Sequence, residues 1–114
     1  MTRGIAPLPE TLPVPDTDPV YSTVADMRTI GRALCKVTNG TDKQIAVTPE
    51  CTTSDDAEFA AGVEGTSQNI AAATTGHFVV TDPWSFARVK IVAAEVPGAG
   101  GTVSLVWNYK HASD

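Results

Sequence analysis

Apolar and polar residues alternate with a period of two along ALCKVT (33–38), KQIAVT (43–48), FARVKIVAA (86–94) and TVSLVWNYK (102–110). That period belongs to a β-strand with one buried face. Ala33, Cys35 and Val37 share a face, as do Ile45 and Val47, and Asn39-Gly40-Thr41-Asp42 between them is turn chemistry. Residues 33–48 therefore predict a hairpin. Keeping both apolar sets on one side sets odd positions opposite odd ones, so paired numbers sum to an even value such as 80 or 82, which favours a three-residue loop. A second hairpin is predicted through EVPGAGG (95–101), with Ala87, Val89, Ile91 and Ala93 meeting Val103, Leu105, Trp107 and Tyr109. HFVVT (77–81) adds a strand that Asp82-Pro83 ends.

Nothing in the rest of the pattern calls for a long helix. Val24, Met27 and Ile30 have helical spacing, but Thr23, Thr29 and Gly31 oppose it, so residues 21–32 read as a strand or a short turn. Asp55 and Glu58 have capping-box spacing ahead of Phe59, Ala60 and Val63, with Gly65 as a stop, which allows one or two helical turns. Thr66 to Thr75 reads as surface loop or a weak edge strand. Several short strands with turns between them predict an all-β fold: an antiparallel, jelly-roll-like β-sandwich.

The first 20 residues break this pattern. Five of the eight prolines, Pro7, Pro9, Pro13, Pro15 and Pro19, fall there, with Leu8, Leu12, Val14 and Val20 between them. Proline fixes φ and removes a donor, so the segment is expected to run extended, near polyproline II. The predicted division is an arm over 1–20 and a sandwich domain over 21–114. An extended arm loses little entropy on binding, and its spaced apolar residues suit a neighbouring subunit.

Composition narrows the function classes. At 114 residues there is room for one domain, and 42% hydrophobic against 18% charged residues is enough for a core. Eight Lys and Arg against 13 Asp and Glu leave a net charge of −5, the wrong sign for a nucleic-acid binder. No stretch approaches the roughly 18 apolar residues of a membrane span, and residues 1–20 lack a secretory signal pattern. The expectation is a soluble protein made in the cytosol.

Candidate chemistry is thin. In the predicted hairpin Cys51 lies about 13–20 Å along the strand from the partner of Cys35, beyond the reach of a disulfide. Two free, buried thiols are expected. His77 and His111 have no ligand spacing with either cysteine. Asp55, Asp56 and Glu58 lack the punctuation of a calcium loop and read as solvating or capping groups. Asn39-Gly40-Thr41 matches a glycosylation acceptor, though the turn already explains it. No base is placed for a nucleophile and no phosphate loop is present, so no enzyme activity, cofactor or metal is expected. Arg88, Lys90 and Lys110 read as a cationic stripe beside Val92, Ser104, Val106 and Asn108, suited to an acidic partner or simply solvated. Trp84 and Phe86 follow Pro83 and read as a loop-tip aromatic pair or as a lid on the core.

Residues 82–110, DPWSFARVKIVAAEVPGAGGTVSLVWNYK, resemble the C-terminal hairpin of small β-sandwich structural proteins of tailed viruses. In these an aromatic, Arg-Val-basic-Val segment leads through a Gly/Thr loop into a Thr-Val-x-Leu strand. Trp84, Phe86, Arg88, Val89, Lys90, Ile91, Gly101, Thr102, Val103 and Leu105 carry the match, with a looser one in KVTNGTDKQIAV. The resemblance implies a virion component made in the host cytoplasm, a capsid decoration or cement protein or another head or tail accessory protein. It would contact the major capsid protein or another virion protein as a homo-oligomer, with no nucleic acid or membrane involved. The implied contact residues are Leu8, Leu12 and Val14 of the arm, and Trp84, Phe86, Arg88 and Lys90 near the loop. The alternative is a carbohydrate- or receptor-binding sandwich of a virus tail or cell surface, with Trp84, Phe86 or His77 as its platform.

Overall fold

The computed structural model describes residues 9–27, 30–52, 63–81 and 86–111. Every regular element among them is a strand: β1 (Glu10–Pro13), β2 (Val20–Tyr21), β3 (Ala25–Asp26), β4 (Ile30–Asn39), β5 (Ile45–Thr52), β6 (Val63–Glu64), β7 (Gln68–Ile70), β8 (Thr75–Thr81), β9 (Phe86–Ala93) and β10 (Thr102–His111). They form two antiparallel sheets. The first has the order β1-β10-β4-β8, and the second has β9 and β5 at its centre, flanked by β2 and β3 on one side and by β6 and β7 on the other.

β2 and β3 occupy one strand position, because both pair with β9 and their registers differ by one residue across Ser22–Val24. β6 and β7 likewise share the flank of β5, again with a one-residue shift. Ten strands thus fill eight positions, ordered 1-8-3-6 in one sheet and 2-7-4-5 in the other. This is the jelly roll, and the expected sandwich is present.

Both interruptions have local causes. Pro49 lies inside β5, where its carbonyl accepts from Gly65 N–H at 2.7 Å. Proline offers no donor to that same edge. The opposite strand breaks there, into β6 and β7, and Thr48 Oγ1 meets Ser67 Oγ at 3.1 Å across the gap. At the other break Ser22 N–H donates to Val89 O at 2.9 Å, and Val89 N–H donates to Ser22 Oγ at 2.8 Å. A buried hydroxyl therefore stands in for the ladder carbonyl.

Alternation sets the core. Among the side chains described, odd residues of β4, β5, β9 and β10 point inward, burying Ala33, Cys35, Val37, Ile45, Val47, Val89, Ile91, Val103, Leu105 and Trp107. Phe78 stands edge-on to Trp107, with ring centroids 6.0 Å apart.

Neither predicted hairpin forms. β4 and β5 lie in opposite sheets, as do β9 and β10, so their apolar faces meet across the core rather than side by side. The even-sum register is therefore replaced by a crossover. β4 pairs with β8 and β10, while β5 pairs with β9 (for example Val47 opposite Ile91). Alternation specifies which side of a strand faces inward and is silent about its hydrogen-bonding neighbour.

The N-terminal segment also departs from expectation over its described part. It runs extended, but along its own domain. Leu12 pairs with Val103 at the sheet edge, Val14 is 1% exposed in the core, and Val20 pairs with Ile91 in the second sheet. Glu10 ties the two layers, accepting from Thr23 N–H at 2.8 Å and Thr23 Oγ1 at 3.1 Å. Prolines suit the route because β1 is an edge strand, where a missing donor costs no ladder bond.

Candidate functional site

Strands alternate in direction, so the connections 14–19, 40–44, 71–74 and 94–101 gather at one end of the sandwich. They are bonded to one another. Val14 N–H donates to Gly101 O, Gly40 N–H to Thr102 O and Asn39 N–H to Thr74 O, at 2.9–3.1 Å. Asp42 Oδ1 accepts from Gly98 N–H at 2.9 Å, which holds its carboxyl below the usual carboxylate range.

Asn39 is the hub of this end. Its side chain is fully buried. Nδ2 faces the carbonyls of Lys43, Ile70 and Ala71 at 2.8, 3.1 and 3.2 Å, and Oδ1 accepts from Thr41 N–H at 3.0 Å and from Thr41 Oγ1 at 2.7 Å. The amide thus joins the 40–44 and 71–74 connections across the two sheets. The acceptor-like Asn39-Gly40-Thr41 triplet is a structural device, since a glycan on Nδ2 would displace those three carbonyls.

At this end the proline-rich segment meets the Pro97 loop. Pro13, Val14, Pro15, Pro97 and the chain from Gly98 to Thr102 line a hollow of about 220 Å³. Val96 stands 61% exposed in the same loop. Asp16, Asp18, Asp42 and Glu95 belong to these connections against Lys43, so the end is acidic.

The expected contact residues do not form one patch. Leu8 and Trp84 lie outside the described residues, as do Asp55, Asp56 and Glu58. Leu12 and Val14 are committed to their own fold: Val14 is buried in the core and Leu12 packs against it. Phe86 is buried rather than displayed. Arg88 and Lys90 lie on the outer face of the second sheet, whereas Lys110 is on β10 of the first, so the predicted cationic stripe is divided between opposite sheets. Arg88 is also engaged. Its Nε donates to Glu50 Oε1 at 2.7 Å, and its guanidinium lies 4.1 Å from the Tyr21 ring centroid. Register explains the pairing, since Glu50 sits directly opposite Arg88. Local sequence carries no signal for this pairing, because a predicted β4–β5 hairpin sets β5 beside a different strand.

Two grooves flank β8. One, of about 490 Å³, is lined by neutral polar groups including Gln68, Asn69, Thr74, Thr75 and His77. The other, of about 280 Å³, lies beside Phe78, Val79 and Val80 and is faced by Pro49, Cys51 and Gly65. Cys35 and Cys51 are free and buried, as expected. Burial, reinforced by Glu10, pushes Cys35 up to about 12, and burial with Glu50 pushes Cys51 up to about 11. Neither thiol is a nucleophile at neutral pH.

No protein-family model matches the sequence, and no curated protein matches it. Solved structures share the fold. PirA is 10% identical over 88% of this chain and 91% of its own, with a TM-score of 0.63. The PBSX exported protein XepA is 14% identical over 92% of this chain, with a TM-score of 0.67. This chain spans 37% of XepA. A CBM4 structure is more distant, at 14% identity over 90% of this chain and 70% of its own and a TM-score of 0.46. For PirA and XepA, at these identities, the likeness is one of fold.

Proposed function

We propose that this chain is a non-enzymatic virion structural protein that decorates or cements a viral capsid, with its acidic, proline-lined loop end as the contact surface. The observation that carries the reading is that four connections are locked into one rigid end of an eight-position jelly roll, with Pro13–Pro15 against Pro97–Thr102. A rigid surface loses little entropy when it docks. The support is architectural, since jelly rolls recur in viral shells. The work would be mechanical: each copy bridges neighbouring shell subunits, and repetition multiplies modest contacts.

The test is co-sedimentation with virus particles. Deleting residues 1–20 would remove β1 and the core residue Val14, so it cannot separate attachment from folding. Val96→Glu changes an exposed side chain at the loop end and leaves the core intact. Loss of particle association with unchanged thermal stability supports the reading. Full association of this variant and of a 1–8 deletion refutes it.

The groove of neutral amides and hydroxyls beside Gln68–His77 favours a second reading, a carbohydrate- or receptor-binding module. A glycan screen tests it, with binding lost on Asn69→Ala as the expected result.

A further inference from the structure

β8 is an edge strand of the first sheet. Asn39 N–H donates to Thr74 O, which fixes the phase of the β4–β8 ladder. Pairs 37/76, 35/78 and 33/80 therefore bond across it, and the backbone groups of Thr75, His77, Val79 and Thr81 point away from β4. Natural sheets protect such edges with proline, charge, brevity or interruption. Among the described strands the other edges follow that rule. β1 is four residues long and ends in Pro13. β2 with β3, and β6 with β7, are broken into two- or three-residue pieces. β8 has none of these devices over the seven residues TGHFVVT. Val79 is 53% exposed on it, and Phe78 is only partly buried.

We propose that β8 is a homotypic docking edge, at which two copies of this chain pair β8 to β8 antiparallel about a two-fold axis through Phe78. Their four-stranded sheets then join into one continuous sheet of eight. The register is self-complementary. Centred on Phe78, it sets His77 opposite the partner subunit's Val79 and Thr75 opposite the partner subunit's Thr81, and all of these residues carry outward-pointing backbone groups. TGHFVVT has no Asp, Glu, Lys or Arg, so a chain of net charge −5 meets its copy along an uncharged line. The two Phe78 rings come together at the axis, where the paired strands approach closest. Each covers an edge that one copy leaves half open. The closed two-fold arrangement ends at two copies because each has one such edge among its described strands.

The test is light scattering and sedimentation equilibrium of the full chain at rising concentration, which are expected to show monomer and dimer in exchange. Val79→Lys is expected to raise the dimer dissociation constant by roughly tenfold or more. Thr11→Lys, the same charge change on the opposite edge strand, is expected to leave it unchanged, and circular dichroism checks that both variants fold. In the double variant His77→Cys with Val79→Cys, the proposed register places each new thiol about 5.5 Å, Cα to Cα, from its partner, within disulfide range. Oxidation is expected to give a covalent dimer. A chain that stays monomeric at several hundred micromolar overturns the proposal. So does a dimer that tolerates Val79→Lys, that fails to cross-link, or that responds to Thr11→Lys instead. An edge that binds only a shell protein also gives the monomeric result and overturns the homotypic pairing without touching the proposed virion role.

Discussion

Asn39→Ala is expected to be among the most damaging single substitutions in the protein. The side chain is fully buried, and removing it leaves Thr41 N–H without its acceptor and takes one donor from the carbonyls of Ile70 and Ala71, of which Ala71 O keeps Thr74 N–H and Thr74 Oγ1. Lys43 O keeps a neighbour in Thr41 Oγ1 at 2.9 Å. An orphaned buried polar group costs about 1–3 kcal/mol, so the orphaned Thr41 N–H together with the weakened carbonyls around it gives a loss of about 2–4 kcal/mol. Against a whole-domain stability of roughly 5–15 kcal/mol that is a large share. Urea unfolding followed by tryptophan fluorescence and circular dichroism reads it as a fall in midpoint at constant m. Asn39→Asp sharpens the test. It sets a carboxylate oxygen against three carbonyls, so it is expected to be worse than alanine at pH 7 and to recover as the pH falls and the group is protonated. Thr41→Val removes one arm of the same network at about 1 kcal/mol, and the double variant is expected to lose less than the sum. A cost below about 1 kcal/mol for Asn39→Ala, or an aspartate that behaves like alanine at every pH, refutes the view that this amide ties the two layers together.

Other changes test the same framework. Gly40→Ala sets a methyl 2.8 Å from the Thr102 carbonyl, a backbone atom that cannot swing aside, and is expected to cost about 1–3 kcal/mol in the same urea assay. Ala73 has φ of 57°, so Ala73→Gly is expected to stabilise the protein by about 0.5–1 kcal/mol, raising the melting temperature. Asp42 is held below its ordinary value chiefly by the Gly98 N–H. Its contribution is present above the unfolded carboxylate range and is lost as the pH falls through the folded value, so Asp42→Asn is expected to flatten the acid limb of the stability profile. Cys35 and Cys51 are raised, which reverses the sign. Their contribution is present below the unfolded thiol range and is lost as the pH climbs toward about 11–12, and stability is expected to fall above pH 9, less so in a Cys35→Ala, Cys51→Ala variant.

Particular residues show how far the sequence reaches. Alternation in 33–38, 43–48, 86–94 and 102–107 identifies the inward side chains, because a strand buried on one face must repeat every two residues. Buried, free thiols were also legible, although the pairing used to argue for them was not. Over its described part the proline-rich start runs extended, and Leu12 and Val14, which local sequence offers to a partner, serve their own core. Proline forbids helix and central strand equally on an edge strand and in a free arm, so local chemistry does not separate the two. Arg88 reads locally as a partner contact because its counter-charge, Glu50, comes from a strand 38 residues away.

What the sequence determined by itself is therefore a set of strands and, for each, which side faces the core. Which strand lies beside which was decided by the tertiary structure alone. Apart from β5 and the β6–β7 edge that follows it, strand positions next to each other along the chain lie in opposite sheets, and strands far apart share the ladders, as where Tyr21 pairs with Lys90. The physical reason is that backbone hydrogen bonds are the same for every residue pair. Neighbours are chosen by the joint requirement that two layers cover each other and that connections close, which here falls to the fully buried amide of Asn39 at one sheet-to-sheet crossing.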